Sequence, residues 1–297
     1  MPLAILALTM LSLIPPAMAQ VSSDGSRQSY RPAPAHRAAP PRSRYSLTIP
    51  LDPPGNRLAA PKIHGTAGRP LVVIDAGHGG HDPGAISPVT GKREKDVTLA
   101  VALAIKAELM KSGRVRVALT REDDRFLILG ERSAIARNIK ADLFISIHAD
   151  SAPADEANGA TIYTLSEVAS DREAQLLAQR ENRADIINGY NVGGENRTVA
   201  SILVDLAQRE TMDSSVAFAR LLKREATGLV PFRADYHRMA GFVVLKAPDT
   251  ASILLELGYL TNADDAERLT SDAGKTNIAR GIRRAVEIHF ARKLAGR

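Results

Sequence analysis

Two histidines and two glutamates in this chain stand where side chains commonly do chemistry. His78 lies in Ile74-Asp75-Ala76-Gly77-His78-Gly79-Gly80, Glu94 in Arg93-Glu94-Lys95-Asp96, His148 in Ile145-Ser146-Ile147-His148-Ala149-Asp150, and Glu256 in Leu254-Leu255-Glu256-Leu257-Gly258. Three of the four sit near or just past the end of an apolar, strand-like run, where an α/β sheet presents its functional groups. Two imidazoles and one carboxylate make a zinc site with one position left open, and a further carboxylate outside the ligand set supplies a base for hydrolysis. Glycines around His78 let the backbone turn sharply and let an ion come close. His81 is nearby but has no strand register to hold it. Glu94 opens a helix, where the dipole stabilises its charge. Glu256 stands inside the apolar run Ile253–Leu257, where a carboxylate needs a partner or a purpose because burying it unpaired is costly. The pattern is not the H-E-x-x-H helix of thermolysin-type enzymes.

The elements that must position these residues follow from periodicity. Strands are predicted at Leu71–Asp75, Val115–Leu119, Leu143–Ile147, Ala160–Leu165, Phe242–Leu245 and Ser252–Leu257. A helix over Lys95–Lys111 places Val97, Val101, Ala104, Ile105 and Leu109 on one face. Further helices are expected over Leu129–Ile139, near 171–188, as a pair near 198–226, and as a closing helix over Thr276–Leu294. Strand and helix alternation of this kind implies an α/β fold: a single three-layer domain with a mostly parallel or mixed central sheet and helices on both faces.

Composition narrows the function classes. The 297 residues contain no cysteine, which excludes a disulfide framework, a thiolate zinc site and a cysteine nucleophile. Aromatics are 4% with no Trp, too few for a platform that stacks nucleic-acid bases. The net charge is +6, and residues 20–70 account for all of it with eight Lys/Arg against two Asp/Glu. That Pro/Arg-rich stretch, for example Arg31-Pro32-Ala33-Pro34-Ala35, is expected to be a disordered basic linker over 20–69, with a lone strand possible at Tyr45–Leu51. Residues 1–19 are apolar, too short for a comfortable membrane span, and end in Ala17-Met18-Ala19. They read as a signal peptide that lacks the usual positive start, and imply export without stable membrane insertion.

From Leu71 onward the chain resembles the zinc-dependent N-acetylmuramoyl-L-alanine amidases of bacterial cell walls, in the autoinhibited branch that splits the septum. The resemblance rests on the four blocks above and on Asp82-Pro83-Gly84-Ala85, Thr120-Arg121, Glu131-Arg132, Ala240-Gly241-Phe242-Val243-Val244-Leu245-Lys246-Ala247-Pro248 and Gly258-Tyr259-Leu260-Thr261-Asn262. It implies that His78, Glu94 and His148 hold Zn2+, and that Glu256 is the catalytic carboxylate. The reaction it implies is hydrolysis of the amide between N-acetylmuramic acid and L-alanine in peptidoglycan, during wall remodelling and daughter-cell separation in the periplasm. The alternatives are a zinc peptidase that cuts another stem-peptide amide, and a non-catalytic wall-binding regulator. The resemblance assigns residues 70–297 to the catalytic domain and about 166–212 to an insertion whose helix blocks the site until a protein activator moves it. Glu181 is the candidate plug, because Ala174, Leu177, Ala178 and Ala184 fall near it on a helical wheel. Asp185, about 40° away on the same wheel, is the alternative. A monomer is expected, with no nucleic-acid partner. The wall-targeting β-domain often found upstream in the family has no counterpart in 20–69, and Ala251-Ser252 replaces the family's common Pro-Ser.

Overall fold

The computed structural model describes residues 60–152, 157–187 and 201–295, with the side chains of 201–208 left aside. Contacts divide the chain at residue 56, and every described residue belongs to the unit Arg57–Arg297. The expected signal peptide, most of the expected linker with its lone strand, and the glycines at 189, 193 and 194 lie outside the described residues.

Six strands form one sheet: β1 (Leu71–Ala76), β2 (Arg116–Leu119), β3 (Leu143–His148), β4 (Ala160–Leu165), β5 (Phe232–Ala240) and β6 (Ser252–Glu256), in the order β2-β1-β3-β6-β4-β5. The four strands from β2 to β6 pair in parallel, β4 runs antiparallel to β6, and β5 runs parallel to β4. The sheet is therefore mixed. β1, β3, β4 and β6 are buried along their whole length, as expected of apolar strands covered on both faces.

The helices are α1 (Glu94–Ser112), α2 (Leu129–Asn138), α3 (Arg172–Asn182), α4 (Ala184–Ile187), α5 (Ser201–Ala226), α6 (Ala263–Thr270) and α7 (Asp272–Ala295). One face of the sheet, with Val72, Ile74, Ile145 and Ile253, packs on α1, α5, α6 and α7. The other, with Val73, Phe144, Tyr163 and Leu254, packs on α2, α3 and a 3-10 turn at Val243–Leu245. From β1 the chain crosses through α1 on one face to β2, then returns through α2 on the opposite face to β3. The strand order thus reverses between β1 and β3, and in such sheets the crevice past the strand ends at that point is where ligands bind.

Four expectations need correction. The expected strand Phe242–Leu245 is instead the 3-10 turn Val243–Leu245 with Phe242 just before it; a run of four apolar residues does not fix its own period, and Val243 N–H is taken by Asn182 Oδ1 at 2.8 Å. β5 was not foreseen, because this edge strand carries Arg233, Asp235 and Arg238 and has no clean apolar alternation. The pair of helices near 198–226 is one helix from 201 onward, consistent with a stretch that holds no Gly or Pro. The helix near 171–188 instead breaks at Arg183 into α3 and α4. Two boundaries also move. The closing helix begins at Asp272, after an α6 capped by Asn262, whose Oδ1 accepts Asp265 N–H at 3.2 Å. The domain is already attached at His64, inside the expected linker, where its N–H donates to Val117 O at 2.9 Å. Among the described residues no helix is long and apolar enough to cross a membrane.

Candidate active site

Strand β1 places His78 by first burying a charge. Asp75 is fully buried and accepts hydrogen bonds from Thr120 Oγ1 (2.6 Å), Ser146 Oγ (2.8 Å) and Arg132 Nη1 (2.9 Å). Burial pushes its pKa up, but Arg132 and the two hydroxyls more than offset this, and it is lowered. Arg132 also donates to the carbonyls of Ala76 (2.8 Å), His78 (2.8 Å) and Leu127 (3.1 Å). Arg121, likewise buried, donates to the carbonyls of Ala76, Gly77 and Lys95, each at 2.9 Å. Two guanidinium groups therefore fix the loop that turns His78 into the crevice. His78 takes a φ of 60°, a left-handed conformation uncommon for any residue but glycine. Gly77 has to be glycine for another reason: a Cβ there would lie 2.5–2.8 Å from the His148 ring.

Glu94 is the first residue of α1 and is buried. Its Oε2 accepts Ala85 N–H (2.9 Å) and its Oε1 accepts Ala149 N–H (2.8 Å), which joins the start of α1 to the end of β3. Burial pushes Glu94 up, yet the facing imidazoles outweigh it and hold its pKa well below the carboxylate range. His148 ends β3.

The structure brings His78, Glu94, His148 and Glu181 to one point. His78 Nε2 is 3.1 Å from Glu94 Oε1 and 3.7 Å from Glu181 Oε2; His148 Nδ1 is 3.3 Å and 3.2 Å from the same two oxygens. A tetrahedron with metal–ligand bonds near 2.0–2.1 Å has edges of about 3.3 Å, so these four separations are those of a zinc-sized cage. Neither ring nitrogen makes a hydrogen bond of good geometry, and both are buried. His78, His148 and Glu181 each offer an atom within 4.8 Å of the others. The donor set of two imidazoles and two carboxylates suits zinc. Asp82 Oδ2, 2.9 Å from His78 Nδ1, holds the ring with Nε2 facing the cage. For His78, burial opposes charge, but Glu94, Asp82 and Glu181 raise its pKa well above that of a free imidazole. Clustered carboxylates thus demand positive charge here, which a divalent cation would meet.

Glu256 ends β6 directly beside His148 in the sheet register. Its Oε2 accepts Asp150 N–H at 3.2 Å, while Oε1 is buried without a hydrogen-bond partner. Burial first, then the charges of Glu94, Asp150 and Glu181, raise its pKa well above the carboxylate range. Asp150 is raised to about 7, chiefly by burial and by Glu94 and Glu181, and is ion-paired with Arg180 of α3.

Glu181 reaches the cage because Ala174, Leu177 and Ala178 on the same face of α3 are buried against the sheet. Asp185 does not reach it. Past the break at Arg183 its Oδ1 accepts Leu129 N–H at 2.9 Å, at the start of α2. His81 stacks on Phe126, ring centroids 4.4 Å apart, and stands outside the cage. Sequence reasoning gave no role to Asp82, Asp150, Arg121, Arg132 or Arg180. The one signal available was Asp75, a charge inside a buried strand that requires a buried cation.

Comparisons with known proteins come to the same place. The family model described as N-acetylmuramoyl-L-alanine amidase matches residues 72–288. The chain is 35% identical over 236 residues to the N-acetylmuramoyl-L-alanine amidase AmiA of Escherichia coli K12, covering 79% of this chain and 81% of that protein. It is 35% identical over 231 residues to AmiC of Escherichia coli O6:H1, covering 76% of this chain but 55% of that protein, so it spans about half the length of that relative. The catalytic domain of CwlV, an N-acetylmuramoyl-L-alanine amidase from Bacillus (Paenibacillus) polymyxa var. colistinus, superposes with a TM-score of 0.55 at 29% identity, over 75% of this chain and 98% of that one.

Proposed function

Because the chain belongs to the N-acetylmuramoyl-L-alanine amidase family, we propose that it hydrolyses the amide between N-acetylmuramic acid and L-alanine in peptidoglycan, with zinc held by His78, Glu94 and His148. The observation that carries this reading is the cage of four ligand atoms with a buried, half-partnered glutamate in the next strand. Zinc in the cage would supply a Lewis acid that acidifies water and polarises the scissile carbonyl. Glu94 draws its charge into the ligand set, and Asp82 keeps His78 in the ligating tautomer. Glu256 Oε2 is occupied by the Asp150 amide, which leaves Oε1 to take the proton of the attacking water. The same oxygen then gives that proton to the departing alanine nitrogen as the C–N bond breaks. A pKa raised by burial and neighbouring charge suits a carboxyl that must hold a proton midway.

Glu181 takes the corner of the cage that catalytic zinc sites leave open for water. We infer an autoinhibited resting state, relieved when a protein activator lifts α3, and a role in wall remodelling and daughter-cell separation after export to the periplasm through residues 1–19.

The test is product analysis on purified sacculi and on muropeptides with the zinc-loaded protein. A new N-terminal L-alanine on the released peptide supports the reading; release of a different amine assigns the enzyme to another stem-peptide bond. Glu256→Gln is expected to lower kcat by about 10²–10⁴-fold with zinc content unchanged. Retained activity in that variant removes Glu256 from the reaction.

A further inference from the structure

The face of the sheet under α3 continues past the catalytic residues. Across β3, β6 and β4 the register aligns His148, Glu256 and Thr161; the neighbouring row aligns Leu254, Tyr163 and Arg238 across β6, β4 and β5. Thr161 and Tyr163 are fully buried, and neither hydroxyl has a hydrogen-bond partner among the described residues. Buried hydroxyls of this kind are costly unless something pairs with them in another state of the molecule.

At the far end of this floor two arginines hold one carboxylate. Glu173, in the first turn of α3, is ion-paired with Arg233, and its Oε2 is 2.7 Å from Arg238 Nη1. Arg233 Nη1 also donates to the phenolic oxygen of buried Tyr259 at 2.6 Å. Arg238 is 7% exposed, and its Nε and Nη1 lack a hydrogen bond of good geometry despite the nearby carboxylates. Glu173 therefore bonds Arg233 with both its oxygens and leaves Arg238 without a well-formed bond. Guanidinium forks of this kind recognise carboxylates with both charge and shape.

The spacing connects this fork to the reaction. Glu173 and Glu181 stand eight positions apart on one helix, or about 12 Å at 1.5 Å per residue. β6 and β5 are separated by β4, which puts Arg238 about 10 Å sideways from the Glu256 strand. An extended peptide covers that span in about three residues. Helix α3 thus carries one carboxylate to the cage and a second to the arginines.

We propose that Arg233 and Arg238 are the carboxylate-binding end of a groove for an acidic peptide, running from Glu256 over Thr161 and Tyr163, and that Glu173 occupies that end while α3 is docked. This deepens the amidase reading and rests on it for one point, that the scissile amide lies beside Glu256. The peptide arm of the substrate enters the groove as α3 leaves it. Its carboxylate, about three residues from the cut, replaces Glu173.

The test uses two synthetic probes, N-acetylmuramoyl-L-Ala-Gly-Glu-amide and N-acetylmuramoyl-L-Ala-Gly-Gln-amide, which differ in a single carboxylate. Binding is measured by calorimetry on the zinc-loaded full chain carrying Glu181→Ala and Glu256→Gln, and hydrolysis on the chain carrying Glu181→Ala alone. The acidic probe is expected to bind on the order of tenfold to a hundredfold tighter than the neutral one. Adding Arg238→Ala or Arg233→Ala removes that preference while leaving affinity for the neutral probe, and Arg238→Lys restores part of it. Glu173→Gln strengthens the acidic probe more than the neutral one. Equal binding of the two probes, no binding of either, or a preference that survives both arginine substitutions overturns the proposal. Hydrolysis without preference sinks the groove and spares the amidase; preference without hydrolysis does the reverse.

Discussion

Glu181→Ala removes the carboxylate that closes the cage and leaves the rest of α3 in place. Glu181 Oε2 lies 3.2 Å from His148 Nδ1 and 3.7 Å from His78 Nε2, so the loss is that of a charge-assisted contact in a buried site. Such contacts are worth about 1.5–3 kcal/mol net, which multiplies the ratio of undocked to docked α3 roughly tenfold to 150-fold. Basal hydrolysis rises in the same proportion until the undocked form dominates. The helix is not fully released, because Asn182 still bonds Gly241 O and Val243 N, each at 2.8 Å, and Asp185 still caps α2 at 2.9 Å. Adding Asp185→Ala therefore raises the rate further. The assay is release of dye from labelled sacculi by zinc-loaded protein, with Glu181→Ala/Glu256→Gln as the inactive control. Equal basal rates for wild type and Glu181→Ala, at equal zinc content, refute the idea that this side chain blocks the site.

Two more outcomes are expected from the structure. In Gly77→Ala the added Cβ meets the His148 ring at 2.5–2.8 Å, so the imidazole must swing away. Zinc affinity, measured by competition with a chelator, falls on the order of 10–100-fold while circular dichroism stays unchanged. His289 on α7 is held down at about 4, mainly by burial and secondly by Lys293. The unfolded chain takes up that proton near 6.5 and the folded one near 4, so stability drops as pH falls from 6.5 toward 4. His289→Leu flattens this part of the profile; identical pH dependence of the urea midpoint in both proteins would show that His289 is not the group responsible.

How much was readable beforehand differs by residue and for physical reasons. His78 and His148 were visible because buried parallel strands read as continuous apolar runs, and both rings stand at or just past the ends of such runs. Glu256 stood out as a carboxylate inside one. The resemblance implied a plugging helix and its spacing pointed to Glu181, but the same wheel left Asp185 open, and only the break at Arg183 separates them by turning Asp185 toward α2. Arg121 and Arg132 stood only in blocks that carry the resemblance and received no role, since nothing in a helix or loop sequence says that its cation will be drawn over a neighbouring strand end. β5 escaped for a related reason: its arginines belong to a partly buried ion-pair cluster with Glu173, and such residues spoil the alternation by which a strand is recognised.

The guanidinium pair behind the His78 loop has a consequence for how the ion comes and goes. Arg121 and Arg132 grip the peptide carbonyls of this loop, and Ala76 O accepts from both. The socket is thus shaped by bonds in which the cation takes no part. Stripping the metal is expected to leave a preformed receptacle, not a collapsed loop, and refilling it to need no refolding. Exchange would then be paced by how often the overlying helix steps aside.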